Sequence, residues 1–414
     1  MSSEAAMART VMEWCEVLGA ISEEPDCLSR PFATQAMRRA NATVSAWMRD
    51  AGMQVEQDAI GNLIGRYEGS STLAKTLVLG SHLDSVRDAG KYDGPLGVMI
   101  ALACVQRLHS RGERLPFAIE VVGFADEEGM RFARSYLGSR AITGMFESTW
   151  LEAKDAQEMT MAEAIRDFGG NPDPLALRTP RWKREALLGY AEVHIEQGPV
   201  LEEANLPLGV VTAIAGQTRL RVGFTGMAGH AGTVPMPMRR DALSAAAEFA
   251  LGVEAIARGL PGLVATIGQA QVQPGVSNVI PGQVMLSLDV RHQHDTIREQ
   301  ALIEMEARGR IIGEARHITF TWQALETQKA VPCAPYLANL FAQAIEASGY
   351  PAHRLPSGAG HDAAIMSALT DMAMLFVRCK GGISHNPAES VTSEDVGLAI
   401  DTLERFLLLL AGTF

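Results

Sequence analysis

The chain has 414 residues, 47% hydrophobic and 20% charged, a globular composition that excludes collagen-like, coiled-coil and disordered polymers. Thirty-six Lys and Arg against 48 Asp and Glu leave a formal charge of -12, which repels nucleic acid and anionic membrane surfaces and excludes both as partners. The five cysteines (Cys15, Cys27, Cys104, Cys333, Cys379) are odd in number and contain no Cys-x-x-Cys pair, so neither a disulfide framework nor a thiolate zinc site is supported.

No apolar run, residues 406–411 included, approaches the length of a membrane span, and Met1-Ser2-Ser3-Glu4 lacks the basic-then-apolar pattern of a secretory signal. A cytoplasmic location is expected. Helical periodicity opens the chain (Val11, Met12, Trp14, Val17, Leu18), and a second helix is predicted over 34–51, capped by Thr34 and stopped by Gly52. Short β-rich runs then alternate with helical ones: 76–81, an apolar helix over 95–108, and 118–124. That alternation predicts an α/β domain with a central, mostly parallel sheet. Residues 169–174 read as a loop.

From about 217 to 322 the order changes to strand (219–225), helix (239–258), strand (264–272), strand (284–290), helix (295–312), strand (317–322). This is the split βαβ, ferredoxin-like order. A catalytic domain of residues 1–214 and 328–414, interrupted by an inserted α+β domain of residues 215–327, is therefore expected. A strand over 372–378 and a helix over 393–410 complete the first domain.

Polar residues that can bind metal sit at the ends of apolar strands, where open α/β sheets bind ligands. The first strand runs into Ser81-His82-Leu83-Asp84-Ser85, with Tyr92-Asp93-Gly94 following before the apolar helix. The second ends in Asp126-Glu127-Glu128-Gly129, the third in His194-Ile195-Glu196-Gln197-Gly198, and the last precedes Ile383-Ser384-His385-Asn386-Pro387. Taken singly, each has a plainer reading: a His-x-Asp loop pair, a solvated Glu-Glu step, a turn histidine. Jointly, three imidazoles and several carboxylates at one sheet edge call for a cation. Two ions sharing one carboxylate is the economical arrangement. A carboxylate beside the ions then serves as general base, and Glu127-Glu128 fits that division because successive residues on an extended end point opposite ways.

With Gly229-His230-Ala231-Gly232 and the extension of the last block to Ala388-Glu389, these blocks resemble the M20-type metallohydrolases. More narrowly, they resemble the amidase branch that contains allantoate amidohydrolases and N-carbamoyl-L-amino-acid hydrolases. The resemblance implies two divalent ions per subunit (Zn, Mn, Co or Ni): His82 and His194 on one, Glu128 and His385 on the other, and Asp93 bridging. It also implies that Asp84 orients His82 and that Glu127 is the general base. His194 stands where peptidase relatives carry a carboxylate, which favours the amidase branch over aminopeptidase or aminoacylase chemistry. A degenerate binding module is disfavoured because all five ligands and Glu127 are present.

By the same resemblance, His230 stabilises the oxyanion in trans within a homodimer. Gln197, Arg219, Asn278, Arg291 and Gly360 contact substrate, an arginine fork suiting a substrate carboxylate. Ser85 and Val234 depart from the threonines of many relatives without touching a ligand. The implied reaction is hydrolysis of the ureido C–N bond of a small N-carbamoyl carboxylate. Allantoate is the first choice, giving ureidoglycine or ureidoglycolate with ammonia and carbon dioxide. N-carbamoyl-L-amino acids, β-ureido acids and ureidoglycolate are the alternatives.

Overall fold

The computed structural model describes residues 3–71 and 74–413. Its strands, in chain order, are β1 Gln54–Gln57, β2 Leu63–Tyr67, β3 Thr76–His82, β4 Ala118–Phe124, β5 Leu187–Ile195, β6 Leu208–Ile214, β7 Gly216–Thr225, β8 Gly229–His230, β9 Val264–Gln273, β10 Val279–Ile280, β11 Gln283–His292, β12 Thr319–Gln328, β13 Val331–Pro332, β14 His353–Ser357 and β15 Met372–Val377. Two compact units result. One comprises Met1–Thr212, Cys333–Leu355 and Ala359–Phe414, the other Ala213–Pro332 and Pro356–Gly358.

The first unit is built on the order β1-β2-β4-β3-β5-β15-β6. Its centre, β4-β3-β5-β15, is parallel, whereas β2 and β6 flank it antiparallel. Every residue of β3, β4 and β15 is buried, as near-continuous apolar strands covered on both faces must be. Because β4 lies on one side of β3 and β5 on the other, the chain reverses its winding direction there, and the carboxyl ends of β3 and β5 bound a crevice.

Pro95 opens the helix Pro95–Ser110, whose proline sits where no N–H is needed, and 13 of its residues are buried. Thr34 caps Gln35–Asp50 by accepting the Met37 N–H, and Gly52 (φ 75°) follows its last turn. The final helix, Ser393–Ala411, is capped by Thr392 and stacks Phe406 on Phe341 at 4.1 Å. Residues 169–173 are a loop, and a short helix begins at Pro174. Among the described residues, no helix is long and apolar enough to cross a membrane.

The second unit carries the antiparallel sheet β12-β7-β11-β9. Strict alternation of burial along β11 leaves one side to pack the helices Ala242–Gly259 and Asp295–Arg316. Phe224, Phe249 and Leu286 lie in that core, with Phe320 against it. The strand order of this βαββαβ unit is that of a ferredoxin-like fold. Ala213–Ile214 and Val331–Pro332, where the chain enters and leaves, pair antiparallel with each other.

Candidate metal centre

The turn after β3 is shaped by a buried arginine. Arg30 donates from Nε to the Leu83 carbonyl at 2.6 Å and from Nη1 to the Leu18 carbonyl at 2.7 Å, and its backbone N–H reaches Ser85 Oγ at 3.0 Å. Burial lowers its guanidinium to about 10, with the Asp84 charge opposing. The chain therefore turns sharply at His82-Leu83-Asp84. His82 Nδ1 donates to the Asp84 carbonyl at 3.1 Å and stands 3.4 Å from Asp84 Oδ1. The Asp84 carboxylate also accepts the N–H groups of Glu127 (3.0 Å) and Glu128 (3.2 Å), which ties the end of β4 to the end of β3.

Asp93 is the focus of the cluster. His194 Nε2 lies 3.1 Å and His82 Nε2 3.6 Å from its Oδ1, and His385 Nε2 lies 3.1 Å from its Oδ2. His385 Nε2 is also 3.3 Å from Glu128 Oε1. His194 Nδ1 donates to the Ile195 carbonyl at 2.9 Å. With Nδ1 of both buried imidazoles committed to carbonyls, Nε2 is the nitrogen each presents to Asp93. Gln197, at φ 57°, donates from Nε2 to Asp93 Oδ2 at 2.8 Å and to Ser384 Oγ at 3.1 Å. Gly94, at φ 84°, leaves room for the His82 ring, since a Cβ there would sit 2.4 Å from Cε1.

Behind these groups lies a buried polar layer whose centre, Glu192, the sequence reading did not single out. Glu192 accepts from Ser81 Oγ (3.0 Å), the Tyr190 hydroxyl (3.0 Å) and the Ala363 N–H (3.1 Å). The His361 ring meets His194 edge-on at 4.5 Å, and Asp362 accepts from Ser139 Oγ at 2.5 Å. Gly360 is required by its neighbour: a Cβ there would lie 1.9 Å from the Tyr136 hydroxyl oxygen. The available signal was a glutamate inside an otherwise apolar strand, which a buried position tolerates only with partners.

The protonation preference of each group is set by its neighbours. Burial alone would raise Asp93, but hydrogen bonds from His194, His385 and His82 hold it well below the usual carboxylate range. Burial opposes protonation of His82, yet Asp84 and Asp93 raise it well above the ordinary imidazole value. His385, bonded to Asp93 and Glu128, is raised to about 10. Glu127 is pushed well up by burial and by the Glu128, Asp362 and Asp84 charges, with His82 opposing.

These donors fit a divalent cation. Imidazole nitrogen and carboxylate oxygen bind Zn-like ions at about 2.0–2.1 Å, so ligand atoms around one ion stand about 3.3 Å apart. The separations of 3.1–3.6 Å around Asp93 match. His82, Asp93 and His194 form one group of close donors, and Asp93, Glu128 and His385 another. Glu127 also comes close to His82 and Glu128.

The remaining predicted residues lie in the second unit, in two places. His230 on β8 pairs with Val279 on β10, and the Ala231 N–H donates to the Asn278 carbonyl at 2.9 Å, which brings His230 and Asn278 together. Arg219 and Arg291 converge on Asp289, which the sequence reading passed over. Arg291 forms a two-pronged pair with it at 2.9 and 3.0 Å, Arg219 Nε stands 3.5 Å away, and Gln217 Nε2 donates to it at 2.5 Å. Burial opposes ionisation of Asp289, but these partners hold its carboxyl below the usual range.

Residues 78–409 match the model of peptidase family M20/M25/M40. The chain belongs to the M20 family. It is thus a hydrolase of a metal-dependent family, and the donor cluster is able to bind metal. An N-carbamoyl-L-amino acid amidohydrolase of Geobacillus stearothermophilus is 40% identical over 389 residues, covering 93% of this chain and 94% of that protein. A probable allantoate deiminase of Oryza sativa subsp. japonica is 38% identical over 421 residues, covering 94% and 86%. Among solved structures, a hydantoinase/carbamoylase-family amidase from Burkholderia multivorans superposes with a TM-score of 0.91 at 31% identity over 98% of both chains. These relatives are an amidohydrolase and a deiminase by name, and this solved structure is an amidase.

Proposed function

We propose that this M20 hydrolase is a two-metal amidohydrolase that cleaves the ureido C–N bond of a small N-carbamoyl carboxylate, with allantoate as the leading substrate. The observation that carries the reading is the convergence of His82, His194 and His385 on the two oxygens of Asp93, with Glu128 beside His385. In this reading His82 and His194 hold one ion, Glu128 and His385 the other, and Asp93 both. When bound, the ions supply Lewis acidity to the scissile carbonyl and lower the pKa of the attacking water.

The residues of the chain do the rest. Asp84 keeps the His82 ring in orientation through Nδ1 and fixes the backbone of Glu127. Glu127 takes a proton from the attacking water and returns it to the departing nitrogen, a role served by a carboxyl whose affinity for protons is raised. His230 stabilises the oxyanion from the partner subunit of a homodimer, and Asn278 beside it contacts substrate. Arg219 and Arg291 receive the substrate carboxylate, with Gln197 and Gly360 lining the site. With allantoate, one water is consumed and ureidoglycine, ammonia and carbon dioxide leave.

The 40% identity to an N-carbamoyl-L-amino acid amidohydrolase supports a second reading, in which mechanism and residues stay and an N-carbamoyl-L-amino acid takes the allantoate place. Ammonia release by metal-reconstituted protein separates the two, tested on allantoate, N-carbamoyl-L-amino acids, N-carbamoyl-β-alanine, ureidoglycolate and a dipeptide. Preference for allantoate is the expected outcome. Preference for a carbamoyl amino acid moves the substrate, and silence on all ureido compounds by protein with metal bound overturns the bond assignment.

A further inference from the structure

We infer that Glu389 is a positioning residue for the metal-ligand cluster, clamping the loop that carries Asp93 to the loop that carries His385. The inference rests on the metal-centre reading above. Glu389 is 3% exposed, and its Oε1 accepts two successive backbone N–H groups, Tyr92 at 2.8 Å and Asp93 at 3.1 Å. Its Oε2 stands 3.2 Å from Ser384 Oγ, and that hydroxyl donates to Asp93 Oδ2 at 2.7 Å. One side chain thus fixes the backbone of Tyr92 and Asp93, with the Ser384 hydroxyl placed between its Oε2 and Asp93 Oδ2 and able to donate to either. It does so from within the turn that holds His385.

None of the hydrogen-bond partners of Glu389 is cationic. A buried carboxyl without a counter-ion costs stability unless donors are gathered on it, and here the donors belong to the segment that most needs holding. Asp93 lies between Gly90 and Gly94, in a loop with little stiffness of its own, yet its oxygens must meet imidazoles on three other segments to within about 0.5 Å. Gly90 is shaped to the clamp as well: a Cβ there would lie 2.3 Å from Glu389 Oε1.

The test is Zn2+ affinity of chelator-stripped full-length protein, read by competition with a chromophoric chelator, with circular dichroism and the melting temperature of each metal-free variant alongside. Glu389→Ala is expected to weaken Zn2+ binding by about 10- to 100-fold. Glu389→Gln, whose Oε1 still accepts both N–H groups and whose Nε2 donates to Ser384 Oγ, is expected to restore parent affinity. Glu389→Asp keeps the carboxyl group but shortens the reach, and is expected to bind Zn2+ more weakly than the Gln variant. If the Ala variant does not fold, the Asp and Gln variants decide.

A purely structural role would lower the metal-free melting temperature and leave the affinity of folded protein unmoved, which overturns the inference. So does a Gln variant as weak as the Ala variant. A parent protein that takes up no Zn2+ brings down the metal reading and this inference together, whereas tight parent binding with unaltered variants removes the role of Glu389 alone.

Discussion

Replacing Glu127 by Gln separates the two chemistries available to that position. The side chain is 9% exposed, and its backbone N–H is fixed on Asp84 Oδ1 at 3.0 Å, so the amide occupies the same place with the same shape. Its carboxylate is repelled by Glu128, Asp362 and Asp84, and its removal takes nothing from the packing. What is lost is the proton-accepting oxygen. A positioned general base contributes about 10²- to 10⁴-fold, roughly 2.7–5.4 kcal/mol of barrier, and the upper half is expected because so buried a site offers bulk water little access to take over the transfer. In ammonia-release kinetics, kcat should fall by about 10³- to 10⁴-fold with KM moved only a few-fold. Metal content, measured by elemental analysis of the same sample, should equal that of the parent. Because Glu127 lies close to His82 and Glu128, it is itself a possible ligand. Loss of an ion together with activity would reassign it as one, and full activity with metal retained would refute the base assignment.

Gly94→Ala places a Cβ 2.4 Å from the His82 ring at φ 84°, and a left-handed alanine adds about 1–2 kcal/mol of strain; reduced Zn2+ affinity is expected, and parent affinity would show that the His82 ring position is not needed. Cys27 is the partly exposed thiol while the other four are buried, with Cys379 pushed up to about 11 and Cys333 to about 12 by burial. A disulfide reagent should therefore titrate one cysteine in native protein and five in denaturant, and two fast thiols would contradict the packing. Asp58 is raised by burial to about 6, against which its bonds to Asn62, Gly61 and Ile60 act. Stability from its protonated form is full below about pH 4 and is lost as pH rises through 6, so between pH 4.5 and 7 the parent melting temperature should fall relative to Asp58→Asn by roughly 2–4 °C. A constant difference across that range would show that Asp58 titrates normally.

The ends of the parallel strands were legible because a metal-competent side chain after an apolar run breaks the pattern at a position that topology makes special. His82, Glu128, His194 and His385 all announce themselves in this way, and the βαββαβ order of the second unit was readable from period alone. Other groups gave weaker signals. Glu192 lies inside β5, where its burial depends on Ser81, more than a hundred residues away in the chain, and no local pattern reveals that pairing. Asp289 looks like an ordinary polar position on an alternating strand until Arg219 and Gln217 arrive from β7. The helix Met161–Phe168 was missed although the Thr160/Glu163 capping box that starts it is written in the sequence.

The placement of β15 has a consequence for synthesis. This last strand pairs parallel with β5 on one side and antiparallel with β6 on the other, so it enters the middle of a sheet whose other members precede it in the chain. A nascent chain emerging from the ribosome must carry the edge of β5, with His194 on it, unpaired until residue 377 is available. Such an edge invites intermolecular pairing. Chaperone protection during that interval, and a yield sensitive to translation speed between β6 and β15, are expected of any host that makes this protein.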